Sequence, residues 1–177
     1  MNLLRRAVFL DRDGVLNEAI FRNGKPHPPS DLSQMVIFPG VPAALARLKA
    51  ADLILIVVTN QPDVARGTAL LADVVALNDH LCAKLPLDLV VMCTHDDADD
   101  CLCRKPRPGM LLAAADRLGI SLPASVMVGD RWRDIEAGRR AGCRTILVGD
   151  GYDETFQSEP DLRARDLSSA TDLILAE

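Results

Sequence analysis

Short runs of consecutive apolar residues alternate along this chain with stretches in which apolar positions recur every three or four residues. Ala7-Val8-Phe9-Leu10 is the first run, and it breaks off at Asp11. Leu53 to Val58, Leu89 to Met92, Ser125 to Val128 and Cys143 to Val148 repeat the pattern. Runs of this length, bounded by polar residues, read as strands buried on both faces. Between them, Val41, Leu45 and Leu48 follow Pro39-Gly40-Val41-Pro42 and predict a helix with proline in its first turn. Leu70 to Leu81, Met110 to Leu118 and roughly Arg133 to Ala141 predict three more, the second stopped by Gly119. Residues 151–160 read as loop, and Leu167 to Leu175 as a short closing helix. Strands alternating with helices predict an α/β fold: a central parallel sheet, helices on both faces, right-handed crossovers.

Residues 12–38 break the rhythm. They carry Lys25-Pro26-His27-Pro28-Pro29-Ser30 and few periodic apolar positions. A long loop directly after the first strand reads as a flap over whatever lies at that strand's end, with His27 as an exposed loop histidine. The 177 residues contain no internal repeat or linker, which predicts one domain spanning 1–177.

Composition sharpens the picture in two places. Aromatic residues make up 3% of the chain, so the core has to be aliphatic. The formal charge of −5 argues against nucleic acid as a partner, so a site for phosphate needs a local basic cluster, and Arg104-Lys105-Pro106-Arg107 supplies one. No stretch approaches the roughly 18 apolar residues of a membrane span, and the apolar segment before Asp11 is too short for a secretory signal. A cytoplasmic protein without a membrane partner is expected. The five cysteines are unlike a disulfide framework.

Three predicted strands end in polar residues: Asp11 with Asp13, Thr59-Asn60, and Gly129-Asp130. In an open parallel sheet such ends converge on one crevice. Gly14 allows the chain to turn so that Asp13 swings back toward Asp11. Carboxylates suit a hard cation such as Mg²⁺; a hydroxyl and Lys105 suit phosphate oxygens; together they suit phosphoryl transfer. Each residue also has an ordinary reading: a strand-to-loop transition for Thr59-Asn60, a helix cap for Asp130, a surface charge for Lys105. Cys93-Thr94-His95 and Cys101-Leu102-Cys103 form C-x-H-x5-C-x-C, whose three thiols and one imidazole fit a closed, structural Zn²⁺ site. Such a site would pin the loop that carries Arg104 and Lys105. Asp96, Asp97, Asp99 and Asp100 read as a solvated tip, and Cys82 and Cys143 as buried inert thiols.

Leu10-Asp11-Arg12-Asp13-Gly14, Val58-Thr59-Asn60-Gln61, Ala65-Arg66-Gly67, Cys103-Arg104-Lys105-Pro106 with Pro108-Gly109-Met110, and Val128-Gly129-Asp130 resemble the haloacid-dehalogenase-like (HAD) phosphatase superfamily. Within it the chain is similar to the branch of D-glycero-D-manno-heptose 1,7-bisphosphate 7-phosphatases and histidinol-phosphate phosphatases, over about residues 7–150. The resemblance implies a Rossmann-like three-layer sandwich with a zinc-bound loop, no large cap domain, and a monomer acting on a small phosphorylated substrate. It implies that Asp11 attacks phosphorus to form an aspartyl-phosphate and that Asp13 serves as acid and then base. Thr59 and Lys105 would hold the phosphoryl group. Mg²⁺ would bind Asp11, the Asp13 carbonyl and Asp130, and Zn²⁺ would bind Cys93, His95, Cys101 and Cys103. Substrate would touch Ala19, Ile20, Phe21, Arg22, Asn60, Gln61, Pro62, Arg104 and Arg131. Val15 stands where the family often has Thr, and Pro62-Asp63 where Ser-Gly is usual. The basic cluster favours a heptose bisphosphate; Asp63 keeps histidinol phosphate as the alternative, and a non-catalytic phosphate-binding module is the third reading.

Overall fold

The computed structural model describes residues 4–152 and 154–176. Strand β1 (Ala7–Leu10) forms the centre of a six-stranded sheet. On one side it pairs with β4 (Ile54–Asn60) and then β5 (Leu89–Cys93); on the other with β6 (Val126–Gly129), β7 (Arg144–Val148) and β8 (Leu162–Ala164). Every pairing in this sheet is parallel. A separate antiparallel hairpin, β2 (Ile20–Arg22) and β3 (Lys25–His27), rises from the segment after β1.

Alternation along the strands sorts the core into two layers. Val8 and Leu10 point into one, with Leu45 and Leu48 of α1 (Val41–Ala50), Leu81 of α2 (Leu71–Lys84) and Ile174 of α5 (Leu167–Leu175). Ala7 and Phe9 point into the other, with Met110, Leu111 and Ala114 of α3 (Gly109–Leu118) and Ala137 of α4 (Trp132–Ala141). All four residues of β1 are buried, and the first polar residue after it, Asp11, is delivered at the carboxyl end of this central strand. The three-layer α/β sandwich is as expected, and no helix among the described residues is long and apolar enough to cross a membrane.

Three local differences have physical causes. β4 runs two residues further than its apolar run, because Thr59 and Asn60 still pair with Met92 and Cys93 of β5. The segment after Asp13 is not wholly irregular: its hairpin turns at Asn23-Gly24, both with positive φ (51° and 72°), the residue pair such tight turns favour. β8 has only three residues, none of them fully buried, too few to show a period. Cys82 is exposed rather than buried, whereas Cys143 is buried.

Helix α5 is started by Asp166, whose carboxylate accepts from Ser169 N at 2.8 Å and lies 2.5 Å from its hydroxyl. The Ser169 hydroxyl, then its backbone N–H, pull the Asp166 pKa down from 3.8 to about 2. A carboxylate depressed on folding stabilises the fold above its unfolded pKa, and that contribution disappears as pH falls through the folded value. Asp166→Ala is therefore expected to cost about 1 kcal/mol at pH 7, with the deficit shrinking as pH falls from 4 toward 2. Urea unfolding of both proteins at pH 7 and pH 3 measures this.

Candidate active site

The ends of β1, β4 and β6 lie side by side, and the residues that leave them share one cavity of about 290 Å³. Asp11, Asp13, Thr59, Lys105 and Asp130 all line it. Asp11 continues the strand pairing, donating its N–H to Val128 O at 3.0 Å. Lys105 arrives from the loop between β5 and α3, and its ammonium is buried. It donates to Asp11 Oδ1 at 2.7 Å and Val58 O at 2.8 Å, and lies 2.6 Å from Asp134 Oδ1. The Asn60 side chain clamps the Lys105 backbone from both sides, donating to its carbonyl and accepting from its N–H, each at 3.0 Å. The amide of Asn60 is thus occupied in placing the lysine.

Asp134, in the first turn of α4, also accepts from Arg131 N at 3.0 Å, and so performs the capping that the sequence allowed for Asp130. Asp130 is left for the cavity. Its Oδ2 accepts from the Tyr152 hydroxyl at 2.6 Å, while its Oδ1 is buried without a partner. Asp11, Asp130 and Asp134 each offer an oxygen within 4.8 Å of the others. Burial, reinforced by Asp134, raises the Asp11 pKa to about 6 against the opposing pull of Lys105. Burial, then Asp11 and Asp134, raise Asp130 well above its usual value. For Lys105, burial favours the neutral form, but the two carboxylates win and hold its pKa above the ordinary lysine value. Three buried acids share one ammonium, and an all-oxygen donor set with an unpartnered oxygen on Asp130 suits a hard divalent cation.

Asp13 is held by Asn17 Nδ2 at 2.9 Å, Gln61 Nε2 at 2.9 Å and the Arg12 guanidinium at 3.0 Å. Arg12 is fully buried and donates onward to Asn78 Oδ1 at 2.8 Å. Gln61 also donates to Thr59 Oγ1 at 3.0 Å. Gln61 is therefore a buried brace between two site residues, outside the cavity wall. Gly14 turns the chain with φ +93°, and a Cβ there would lie 1.8 Å from Asp130 Oδ2. Only glycine lets this backbone approach the carboxylate so closely.

The cavity rim is basic. Ala19, Pro26, His27, Pro28, Asn60, Pro62 and Asp63 line it together with Arg66, Arg104, Arg131 and Arg133, with Asp97 and Asp134 among them. His27 is thus a wall residue rather than a free loop side chain. Ile20, Phe21 and Arg22 sit on the hairpin outside the wall, with Phe21 stacked against Tyr152 at 5.9 Å between ring centroids. Each arginine of the rim already has an acid. Arg66 forks onto Asp96 at 2.6 and 2.8 Å, Arg104 Nε and Arg133 Nη1 share Asp97 Oδ1, and Arg131 pairs with Glu154. Asp96, Asp97 and Asp100 are ion-paired, Asp100 to Arg107, while Asp97, Asp99 and Asp100 stay exposed to solvent as expected. The Arg66 bond holds Asp96 down at about 2.

Behind the rim, Cys93, His95, Cys101 and Cys103 converge. Cys93 Sγ lies 3.2 Å from Cys103 Sγ and 3.7 Å from Cys101 Sγ, and His95 Nδ1 lies 3.3 Å from Cys103 Sγ. Burial, then contact with Cys103, push the Cys93 thiol up to about 12.

Asp134, Tyr152, Arg12 and Arg133 belong to the site although the strand-end pattern does not select them. Asp134 had a signal, an acid one helical turn after Asp130. Tyr152 had none, since it lies in a segment without periodicity.

A parallel sheet whose central strand ends bring together paired aspartates, a threonine and a further aspartate, with a buried lysine from the loop after β5, is the arrangement of a HAD-like phosphatase. Residues 102–170 match the HAD-hydrolase-like family model. The chain is 38% identical to a D-glycero-D-manno-heptose-1,7-bisphosphate 7-phosphatase of Thermosynechococcus vestitus, over 96% of this chain and 95% of that one. It is 36% identical to the D-glycero-beta-D-manno-heptose-1,7-bisphosphate 7-phosphatase of Bordetella bronchiseptica, over 82% of each. The crystal structure of the B. bronchiseptica D,D-heptose 1,7-bisphosphate phosphatase complexed with magnesium and phosphate superposes with a TM-score of 0.79, at 31% identity, covering 97% of this chain and 98% of that one. The chain belongs to the heptose-1,7-bisphosphate 7-phosphatase family of HAD-like hydrolases.

The tight approach at Gly14 is testable against a second left-handed glycine. Gly24 has φ +72°, but a Cβ added there would meet nothing within 4 Å. Gly24→Ala is expected to cost about 1–2 kcal/mol from backbone conformation alone, and Gly14→Ala clearly more, because it also displaces Asp130. Urea unfolding midpoints of the two variants measure the difference.

Proposed function

We propose that this protein hydrolyses the 7-phosphate of a heptose 1,7-bisphosphate through an aspartyl-phosphate, as a single cytoplasmic domain and a monomer. One observation carries the reading: Asp11, Asp13, Thr59, Lys105 and Asp130, scattered through the sequence, line the same cavity. Lys105 fixes one oxygen of Asp11 and leaves the other to attack phosphorus. Thr59 and Lys105 steady the equatorial oxygens of the transferring group, which gathers charge in the transition state. Asp13 gives a proton to the departing sugar oxygen. In the second step it takes a proton from water, which attacks the acyl phosphate, releases phosphate and restores Asp11. Asp11, the Asp13 carbonyl and Asp130 would hold magnesium, which when bound neutralises charge on the phosphoryl group; the unpartnered Oδ1 of Asp130 supports that assignment.

The arginines favour a bisphosphate. Arg104 and Arg131, with Arg133 and Arg66, line the same cavity and offer the charge that a second phosphate would need. Asp63, the acid that would attract the ammonium of histidinol phosphate, lies 3.4 Å from Arg66, which it shares with Asp96. Pro62 and Ala19 supply wall, while Ile20, Phe21 and Arg22 stand on the hairpin beyond the cavity lining. Asp11→Asn is expected to abolish turnover with the fold intact by circular dichroism. kcat/KM for the heptose bisphosphate should exceed that for histidinol phosphate; the reverse order, measured by phosphate release, replaces this substrate with the other.

We read the cysteine cluster as a structural zinc site. A tetrahedral ion with Zn–S bonds of about 2.3 Å needs sulfur–sulfur edges of about 3.8 Å, near the 3.2–3.7 Å spacings of the three thiols. Elemental analysis should find about one zinc per chain. Cys103→Ser should lose it, and turnover should fall with it, because Arg104 and Lys105 follow directly in the chain.

A further inference from the structure

Magnesium binding, as proposed above, leaves one structural question: what holds Asp130 so that it presents a fixed oxygen? A carboxylate that ligates a cation through one oxygen is free to rotate unless the other oxygen is bonded. Here Oδ2 accepts from the Tyr152 hydroxyl at 2.6 Å. Oδ1, on the other side of the same group, is buried and has no partner. The two oxygens are thus already distinguished, one spent and one open, and Gly14 packs against the spent one.

Tyr152 is itself held by more than this bond. Its ring stacks on Phe21 of the hairpin at 5.9 Å and a 47° tilt, and lies 5.9 Å from the Arg131 guanidinium. Its backbone has φ +55°, directly after Gly151 at +76°. A bulky non-glycine residue is an outlier in that region and persists only where its surroundings enforce it. It is the chain's one tyrosine, in a protein with 3% aromatic residues. A hydroxyl is the feature that a phenylalanine, equally able to stack, would lack.

We propose that Tyr152 is a positioning residue for the magnesium site, its hydroxyl fixing Asp130 Oδ2 so that Oδ1 faces the cation. The inference rests on the reading of Asp130 as a metal ligand. It extends the site to the segment after β7, beyond the strand ends that carry the rest of the chemistry. Tyr152 touches neither phosphorus nor the leaving group; it acts through Asp130.

The test is metal affinity of the full-length, zinc-loaded protein without substrate, read by electron paramagnetic resonance of Mn²⁺ and by Mg²⁺ competition against it. Tyr152→Phe keeps the ring and removes only the hydroxyl. Its Mn²⁺ affinity is expected to fall about tenfold or more, the usual effect of losing a bond that orients a metal ligand, with an unchanged circular dichroism spectrum. Phe156→Leu perturbs the same segment, where Phe156 packs beside Gly151, and should bind Mn²⁺ like the wild type. Asp130→Asn should lose binding. If Asp130→Asn loses the metal while Tyr152→Phe stays within twofold of wild type, the role of Tyr152 is overturned and the metal site stands. An equal loss in Phe156→Leu also overturns it, by assigning the effect to the segment's packing. If Asp130→Asn binds as the wild type does, the metal reading itself falls, and this inference with it.

Discussion

The interaction on which the site depends is the buried ammonium of Lys105 between Asp11 and Asp134. An isolated buried ammonium or carboxylate is prohibitively unfavourable, so the three groups are tolerated in the interior only while they stay together. Their assembly requires three separate parts of the fold to be in register. β1 must deliver Asp11, α4 must begin where Asp134 faces inward, and the loop after β5 must bring Lys105 under the sheet. Asn60 enforces the last of these by gripping the lysine's backbone, and Gly129 enforces the second, since a Cβ there would lie 2.1 Å from Asp134 Cβ. The electrostatics of the cavity thus follow from packing, and the packing is maintained in part by the electrostatics.

What could be read beforehand follows from the range of the signals. Continuous apolar runs such as Leu53 to Val58 leave few alternatives to a buried strand, so the sheet and the residues at its tips were visible. The closing helix was visible too, since Leu167, Ala170 and Ile174 repeat at helical spacing and are all buried. β8 was not, because three residues cannot display a period. The roles of Asn60 and Gln61 were legible only as membership of a motif. Their amides point at Lys105, Thr59 and Asp13, and no local pattern encodes a side chain's bonding partner. Arg12 is the sharpest case. A lysine or arginine beside two aspartates looks like a surface charge, yet Arg12 is fully buried, ion-paired to Asp13 and donating to Asn78 of α2.

The acidic run 96–100 is exposed as its composition suggests, but its ion pairs were not legible, for a related reason. Four aspartates within five residues suggest a solvated turn, and the segment is indeed at the surface. The structure gives three of them arginine partners from outside the run, Arg66, Arg104 and Arg107. The negative net charge of the chain therefore says little about the potential inside the cavity, where basic and acidic side chains are interleaved.

That interleaving bears on how a ligand would be admitted. The rim arginines are not waiting in water for an anion; each is engaged with a carboxylate of the same chain. Entry is then a substitution, in which an incoming group has to outcompete Asp96, Asp97 or Glu154 for a guanidinium. A singly charged anion offers little more than the carboxylate it displaces. A dianionic phosphate with three acceptor oxygens offers more, so such a doorway would discriminate by charge density before any chemistry deeper in the cavity.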